Sequence, residues 1–241
     1  MQVNDFLNFI NQVSIDCVIF GYQENNLKVL IPKLVLKGDL WTLPSGFIKQ
    51  EESIDQAALR VLEERTGIRN VYLDQFRVFG EVPRTNKDVI DRIFELNQGR
   101  TDFQEIGEPF FDWLKQRFIS IGYYALVNAD EVIPHTTFFD ESADWYDVDS
   151  LPTMVLDHND IVAKALEALR INFDNKLIGF NLLPEKFTMK ELQQLYETVY
   201  DKPFRSNNFQ KKMLDLNVLE RLEKKFTGAA NKAPYLYRFK S

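Results

Sequence analysis

This 241-residue chain has one cysteine, two histidines and no apolar run of bilayer length. Cys17 alone can form neither an internal disulfide nor a thiolate metal cluster, and its place in "SIDCVIFGY" reads as an inert strand residue. His135 and His158 are too few for a histidine-rich metal site. No segment approaches the roughly 18 apolar residues that cross a membrane, and no repeat or low-complexity tract is found. The start, "MQVNDFLNFINQ", has no basic n-region and no small-residue cleavage site. These absences lead us to expect a cytoplasmic protein with no membrane partner.

What is present is a globular composition with an uneven charge. Hydrophobic residues make up 45%, enough for at least one large core. Residues 1–175 hold 16 Lys and Arg against 29 Asp and Glu, whereas residues 176–241 hold 13 against 7. An acidic body with a basic tail is the pattern of a chain whose C-terminal part meets a polyanion.

The pattern of apolar residues gives the elements. "SIDCVIFGYQENNLKVLIP" reads as a hairpin turning at Glu24, Asn25 and Asn26. Ser53 with Gln56 makes a capping box for a helix whose apolar positions are Ile54, Ala57, Ala58 and Leu62, and Gly67 stops it. Strands are expected at 71–81, 118–127 and near "ADWYDV". A further helix follows Asp157, with Ile161, Val162, Ala165, Leu166 and Leu169 as its buried stripe. Residues 86–117 interrupt this order with two short helices, "KDVIDRIFELN" and "PFFDWLKQR"; Phe103, Phe110, Phe111, Trp113 and Phe118 could form an aromatic lid or a dimer contact, and their helical spacing favours ordinary packing on the body.

Within this frame Gly46, Glu52, Arg60, Leu62, Glu64, Gly67 and Ile68 fall at the spacing of one 23-residue motif. It resembles the Nudix box, GX5EX7REUXEEXGU, and the preceding "LWTLPSG" is similar to that family's approach to the box. The resemblance implies an α/β/α sandwich around a mixed sheet. It also implies three carboxylates holding a divalent metal against a diphosphate, at positions occupied here by Val61, Glu64 and Arg65. Valine offers magnesium no ligand, and an arginine beside a dication opposes its binding. We therefore expect no metal, no cofactor and no catalytic residue, with Glu52, Arg60 and Glu64 kept to tie loop to helix. Glu51, Glu63 and Glu81 are the acids that could rescue hydrolysis. Arg65 is expected to pair with Glu64 at the surface or to bind an anionic ligand. Glu64, Arg65, Arg77 and Arg84 are the candidate effector-binding residues.

The basic tail divides into helix, turn, helix and hairpin. Thr188 with Glu191 caps a helix burying Leu192, Leu195, Tyr196 and Val199. A second helix, 206–217, buries Phe209, Met213 and Leu216, and "VLERLEKKF" and "YLYRFK" read as strands joined by a basic tip. That order is the order of a winged helix, with Arg205, Ser206, Asn207, Asn208, Gln210, Lys211 and Lys212 placed to meet base edges and phosphates. Lys224, Lys225 and Lys232 supply a basic wing.

A degenerate Nudix box followed by a winged helix resembles the bacterial Nudix-related transcriptional regulators, as do "VLDHNDIV" and "GFNLLPEKFTMKELQQLYE". The resemblance implies an effector-sensing domain at 1–172, with its helical insertion at 86–117, and a DNA-binding domain at 173–241. It also implies a homodimer on a double-stranded DNA operator and a small-molecule effector, ADP-ribose or a pentose such as arabinose. The alternative is an active hydrolase of ADP-ribose or another nucleoside diphosphate sugar.

Overall fold

The computed structural model describes residues 8–69, 71–82, 84, 87–97, 108–137, 140–174, 179, 182–225 and 233–240. Phe103 and Lys232 lie outside these residues.

The expected hairpin forms from β1 (Phe9–Gln23) and β2 (Asn26–Leu34). Only Glu24 and Asn25 make its turn, both with positive φ (50° and 61°), and Asn26 already pairs with Gln23. Two such residues give the primed turn whose twist matches the flanking strands. The remaining strands of this sheet are β3 (Ser45–Lys49), β4 (Leu73–Phe79), β5 (Ile119–Asn128) and β6 (Asp140–Asp147). They run in the order β4-β5-β1-β2-β6, with β3 also on β1. The central β1 and β5 are parallel and the other pairs antiparallel.

Both faces of the sheet are covered, which is why the middle of β1 is a continuous apolar run rather than an alternating one. Ile15, Cys17 and Ile19 face α1 (Ile54–Thr66), packing with Ala57, Ala58, Val61 and Leu62. Val18 and Phe20 face the other way, toward Ile161, Val162, Ala165 and Leu169 of a later helix, α4 (His158–Asn172). The α/β/α sandwich follows from this period of two. Ser53 and Gln56 close the expected capping box on α1, and Gly67 ends it in the left-handed region (φ 69°), where a Cβ would be strained.

Between β4 and β5 lie α2 (Lys87–Leu96) and α3 (Glu108–Leu114). Ile93, Phe110, Phe111, Trp113 and Phe118 form an apolar cluster of their own, joined by Phe9 and Phe47 from the sandwich. Trp113 sits edge-on to Phe118 at 5.0 Å and to Phe47 at 4.7 Å. The insertion therefore packs onto β1 and β3, over the mouth of the sandwich.

The C-terminal part holds α5 (Met189–Tyr200), α6 (Ser206–Asp215) and a small sheet ordered β7 (Phe187–Thr188), β9 (Tyr235–Phe239), β8 (Leu219–Lys224). Thr188 and Glu191 form the second capping box, and Phe209 and Met213 are buried as expected. Leu216 is not buried. It is the C-cap of α6 and is 39% exposed, because the helix ends at Asp215, two residues before the expected end. Leu192, Leu195, Tyr196, Val199 and Phe209 belong to the same apolar cluster as Val18, Phe20 and Ile161, so one core runs from the sandwich into the tail. No helix among the described residues is long and apolar enough to cross a membrane.

Candidate functional site

A cavity of about 460 Å³ opens beside the second half of α1, between β1, β3, the insertion and the start of α4. Its floor is polar and its roof apolar: Asp16, Arg65, Arg84, Asp140 and His158 lie on one side, and Ile90, Ile93, Phe110, Phe111 and Phe118 on the other. The insertion supplies most of the roof. Phe110 and Phe111 are thus lining residues as well as packing residues, whereas Trp113 only packs.

The floor is a network of paired charges. Asp16 is buried and receives hydrogen bonds from Ser45 Oγ at 2.6 Å, from Ser120 Oγ and from Arg84 Nη2 at 3.4 Å. Arg84 also donates through Nε to both oxygens of Asp157 (2.9 and 3.1 Å) and through Nη1 to the Phe118 carbonyl (3.2 Å). The expected effector anchor therefore lies at the cavity, but with two carboxylates already upon it. His158 accepts the Leu43 N–H at Nδ1 (3.0 Å), which leaves its proton on Nε2, 3.9 Å from Asp16. Burial pushes the His158 pKa below its ordinary value, so the ring is neutral near neutral pH.

That depressed pKa sets a pH dependence. The unfolded chain takes up a proton at His158 near its ordinary pKa of about 6.5, the buried ring only at lower pH, so the unfolded state binds more protons below that value. Stability contributed by this site is present above pH ~6.5 and lost as the pH falls below it. In thermal melts from pH 7.5 to 5.5, His158→Gln is expected to remove part of the acid-side fall in Tm. An unchanged fall would remove His158 from that role.

On α1 the three positions of the box diverge. Val61 is 1% exposed and packs beneath Gly46, where an added Cβ would come within 2.5 Å of Val61 Cγ2. Glu64 is exposed and meets Arg60 at 3.3 Å. Arg65 does not pair with Glu64 at the surface, as the sequence suggests. It turns inward to a buried ion pair with Asp140, whose Oδ2 also receives the N–H and Oγ1 of Thr137 at 2.7 Å each. Asp140 lies 75 positions away, and no local spacing announces it. Glu52 binds Arg60 through both oxygens (2.6 and 3.0 Å) and accepts the Lys49 N–H (2.8 Å), while Arg60 reaches the Phe47 carbonyl (2.8 Å). The Arg60 bonds hold the Glu52 carboxyl below its ordinary range. The loop-to-helix tie is thus present.

The dication of a Nudix hydrolase does not fit these residues. Val61 presents methyl groups, Arg65 a cation, and Glu52 is held by Arg60. Glu51, Glu63 and Glu81 do not line the cavity, and Glu63 holds Arg69. Among the described residues no cluster of three or more His, Cys, Asp or Glu could take a metal. Arg77 is exposed on the edge strand β4, over the Phe79 ring at 5.8 Å, and is not brought to the cavity. Burial pushes the Cys17 thiol well above its ordinary range, which keeps it inert.

In the tail, Arg205, Ser206, Asn207, Asn208, Gln210 and Lys211 are exposed together at the start of α6. Lys212 is different: it is held by Asp174 at 2.6 Å and lies over the Tyr196 ring at 5.4 Å. On the wing, Lys225 is paired with Glu191 (3.3 Å), whereas Lys224 lies over Tyr235 at 5.3 Å. Arg221, missed in the sequence, stacks on the same ring at 4.6 Å. Alternation does not announce it, since Arg221 stands two residues from buried Leu219, and the register shifts between Arg221 and Lys224. Asp16 was missed too, although a lone carboxylate within an apolar strand run is a recognisable mark of a buried polar site.

Comparison with known proteins agrees with this geometry. Residues 11–168 match the NUDIX domain model. The chain belongs to the Nudix family. Residues 179–239 of this Nudix protein match the NrtR DNA-binding winged helix domain. It is 24% identical over 237 residues to the ADPR responsive transcriptional repressor NtrR of Acinetobacter baylyi, covering 94% of this chain and 81% of that one. Its fold is that of Shewanella oneidensis NrtR in a crystal with a 27mer DNA (TM-score 0.68, 23% identity, 95% and 94% of the two chains). A MutT/nudix family protein of Enterococcus faecalis shares it as well (TM-score 0.66, 18% identity, 96% and 87%).

Proposed function

We propose that this Nudix protein is a DNA-binding transcriptional regulator, working as a homodimer, whose cavity binds a metabolite without cleaving it. The observation that carries the reading is the fusion, through one apolar core, of a Nudix cavity to a winged helix with an exposed basic, amide-bearing helix face. Arg205, Lys211, Arg221 and Lys224 supply phosphate contacts, while Asn207, Asn208 and Gln210 have the donors and acceptors that read base edges. Val61 and Arg65 remove two of the three oxygen ligands that hydrolysis requires, so binding is kept and turnover is not.

The effector of first choice is ADP-ribose, the ligand to which the Acinetobacter relative responds. A free pentose is the second reading, and one observation favours it. Arg60, Arg65 and Arg84 already hold carboxylates, so the cavity meets a neutral polyol without giving up an ion pair, whereas a diphosphate competes with carboxylates for three of the four Lys and Arg residues that line it. Isothermal titration with ADP-ribose and with L-arabinose separates the two. A gel shift on the duplex upstream of the chain's own gene tests the regulator reading: specific retention over random DNA is expected. Magnesium-dependent turnover of ADP-ribose that Glu64→Gln abolishes would replace it with the hydrolase.

A further inference from the structure

Helix α4 touches the cavity with one end; its other end packs on α5, and Asp174, just past that end, holds α6, so an ion pair that a ligand could compete for stands at each end. At the first end, Asp157 is the N-cap residue, yet its carboxylate makes no capping bond. It is spent on Arg84 Nε instead. The preceding residue, Leu156, lines the cavity and sits at φ +55°, a left-handed conformation that is costly for a branched side chain. The hinge before α4 is therefore strained, and the cap that would normally fix the helix start is withheld.

The second end is tied to the winged helix by four contacts. Arg170 Nε donates to the Val199 carbonyl (2.8 Å), and the Tyr200 hydroxyl donates to the Arg170 carbonyl (2.9 Å). Phe173 packs edge-on to Tyr196 at 5.0 Å. Asp174 holds Lys212 of α6 at 2.6 Å, over the rings of Tyr196 and Tyr200. A lysine so held reaches a DNA phosphate only by leaving Asp174. Between the two ends, Ile161, Val162, Ala165 and Leu169 are buried against the sheet, so the 15 residues move as one rod about 22 Å long.

We infer that α4 couples the cavity to the recognition helix through exchange of the partner of Arg84. A ligand oxygen that takes Arg84 Nε displaces Asp157, whose carboxylate then turns to cap the first turn of α4 as Leu156 relaxes. The shift of α4 reaches α5 through Arg170 and α6 through the Asp174–Lys212 pair, changing how Lys212 and its neighbours meet DNA. This inference rests on the reading of the cavity as the effector site, but its test needs neither effector nor DNA.

Hydrogen exchange on the full chain compares wild type with Asp157→Asn, which keeps the shape of the side chain and weakens its hold on Arg84. Amides of residues 199–215, at the far end of α4, are expected to exchange at least about fivefold faster, the lower end of typical coupling between sites. Amides of β1 and β5 should stay within about twofold, showing that global stability is kept. A local structural role for Asp157 would move only residues around the α4 start. The reciprocal variant, Asp174→Asn, is expected to speed exchange at 158–162 and guards against misfolding of the first. Far-end rates unchanged in both variants overturn the coupling. Failure of the wild-type chain to bind DNA in the gel shift would instead sink the regulator reading.

Discussion

Arg65→Met is expected to lower the unfolding free energy by about 3–5 kcal/mol, the cost of leaving a buried carboxylate without its counter-charge. Asp140 has no exposed side-chain surface; its Oδ1 has no hydrogen-bond partner among the described residues, and its Oδ2 would keep only the neutral donors of Thr137. Urea denaturation followed by circular dichroism reads the loss as a fall in midpoint at unchanged slope. The double variant Arg65→Met, Asp140→Leu should recover most of it, since a well-packed apolar pair often equals or exceeds a buried ion pair. Arg65→Glu, which restores the Nudix box at that position, should be worse than Arg65→Met because it sets two carboxylates against each other. A single Arg65→Met variant as stable as wild type would show the pair to be incidental.

Alanine at Arg205, Lys211 and Arg221 together is expected to weaken operator binding roughly a thousandfold, from about 1.5 kcal/mol for each charge-assisted bond lost. All three are exposed and carry no ion pair among the described residues, so their removal should leave the fold intact. The salt dependence is the sharper reading. Each phosphate contact removed lowers the slope of log K against log salt by about 0.9, so the triple variant should lose nearly three units. Fluorescence anisotropy at several salt concentrations measures both quantities. An unaltered slope would mean that DNA is met by some other surface.

The elements with local signatures were legible in the sequence: two capping boxes, the Gly67 stop and the helix-turn-helix spacing of the tail all encode themselves within a few residues. The Nudix box was legible for the same reason, and so was the loss of its carboxylates. The partners of the charged residues were not. Arg65 finds Asp140 across 75 positions and Arg84 finds Asp16 across 68, pairings that exist only once β1, β5 and β6 are in register. Arg77 has the residue type of an anion anchor, but its place on an edge strand turns it away from the cavity. Lys212 reads as a DNA contact until Asp174 is seen beside it. The sequence thus gives up what is periodic or contiguous and withholds what depends on two distant strands meeting.

The central claim is that occupancy of the Nudix cavity is reported by the winged helix, with the occupant left intact. It is tested most directly by titrating the full chain, bound to the duplex upstream of its gene, with ADP-ribose and separately with L-arabinose in the presence of magnesium, while following anisotropy and ligand integrity together. The account predicts that one of the two shifts the operator Kd by at least about fivefold, within the usual range of coupling between sites, and is recovered unchanged. Operator affinity indifferent to both, with ADP-ribose consumed, would contradict it.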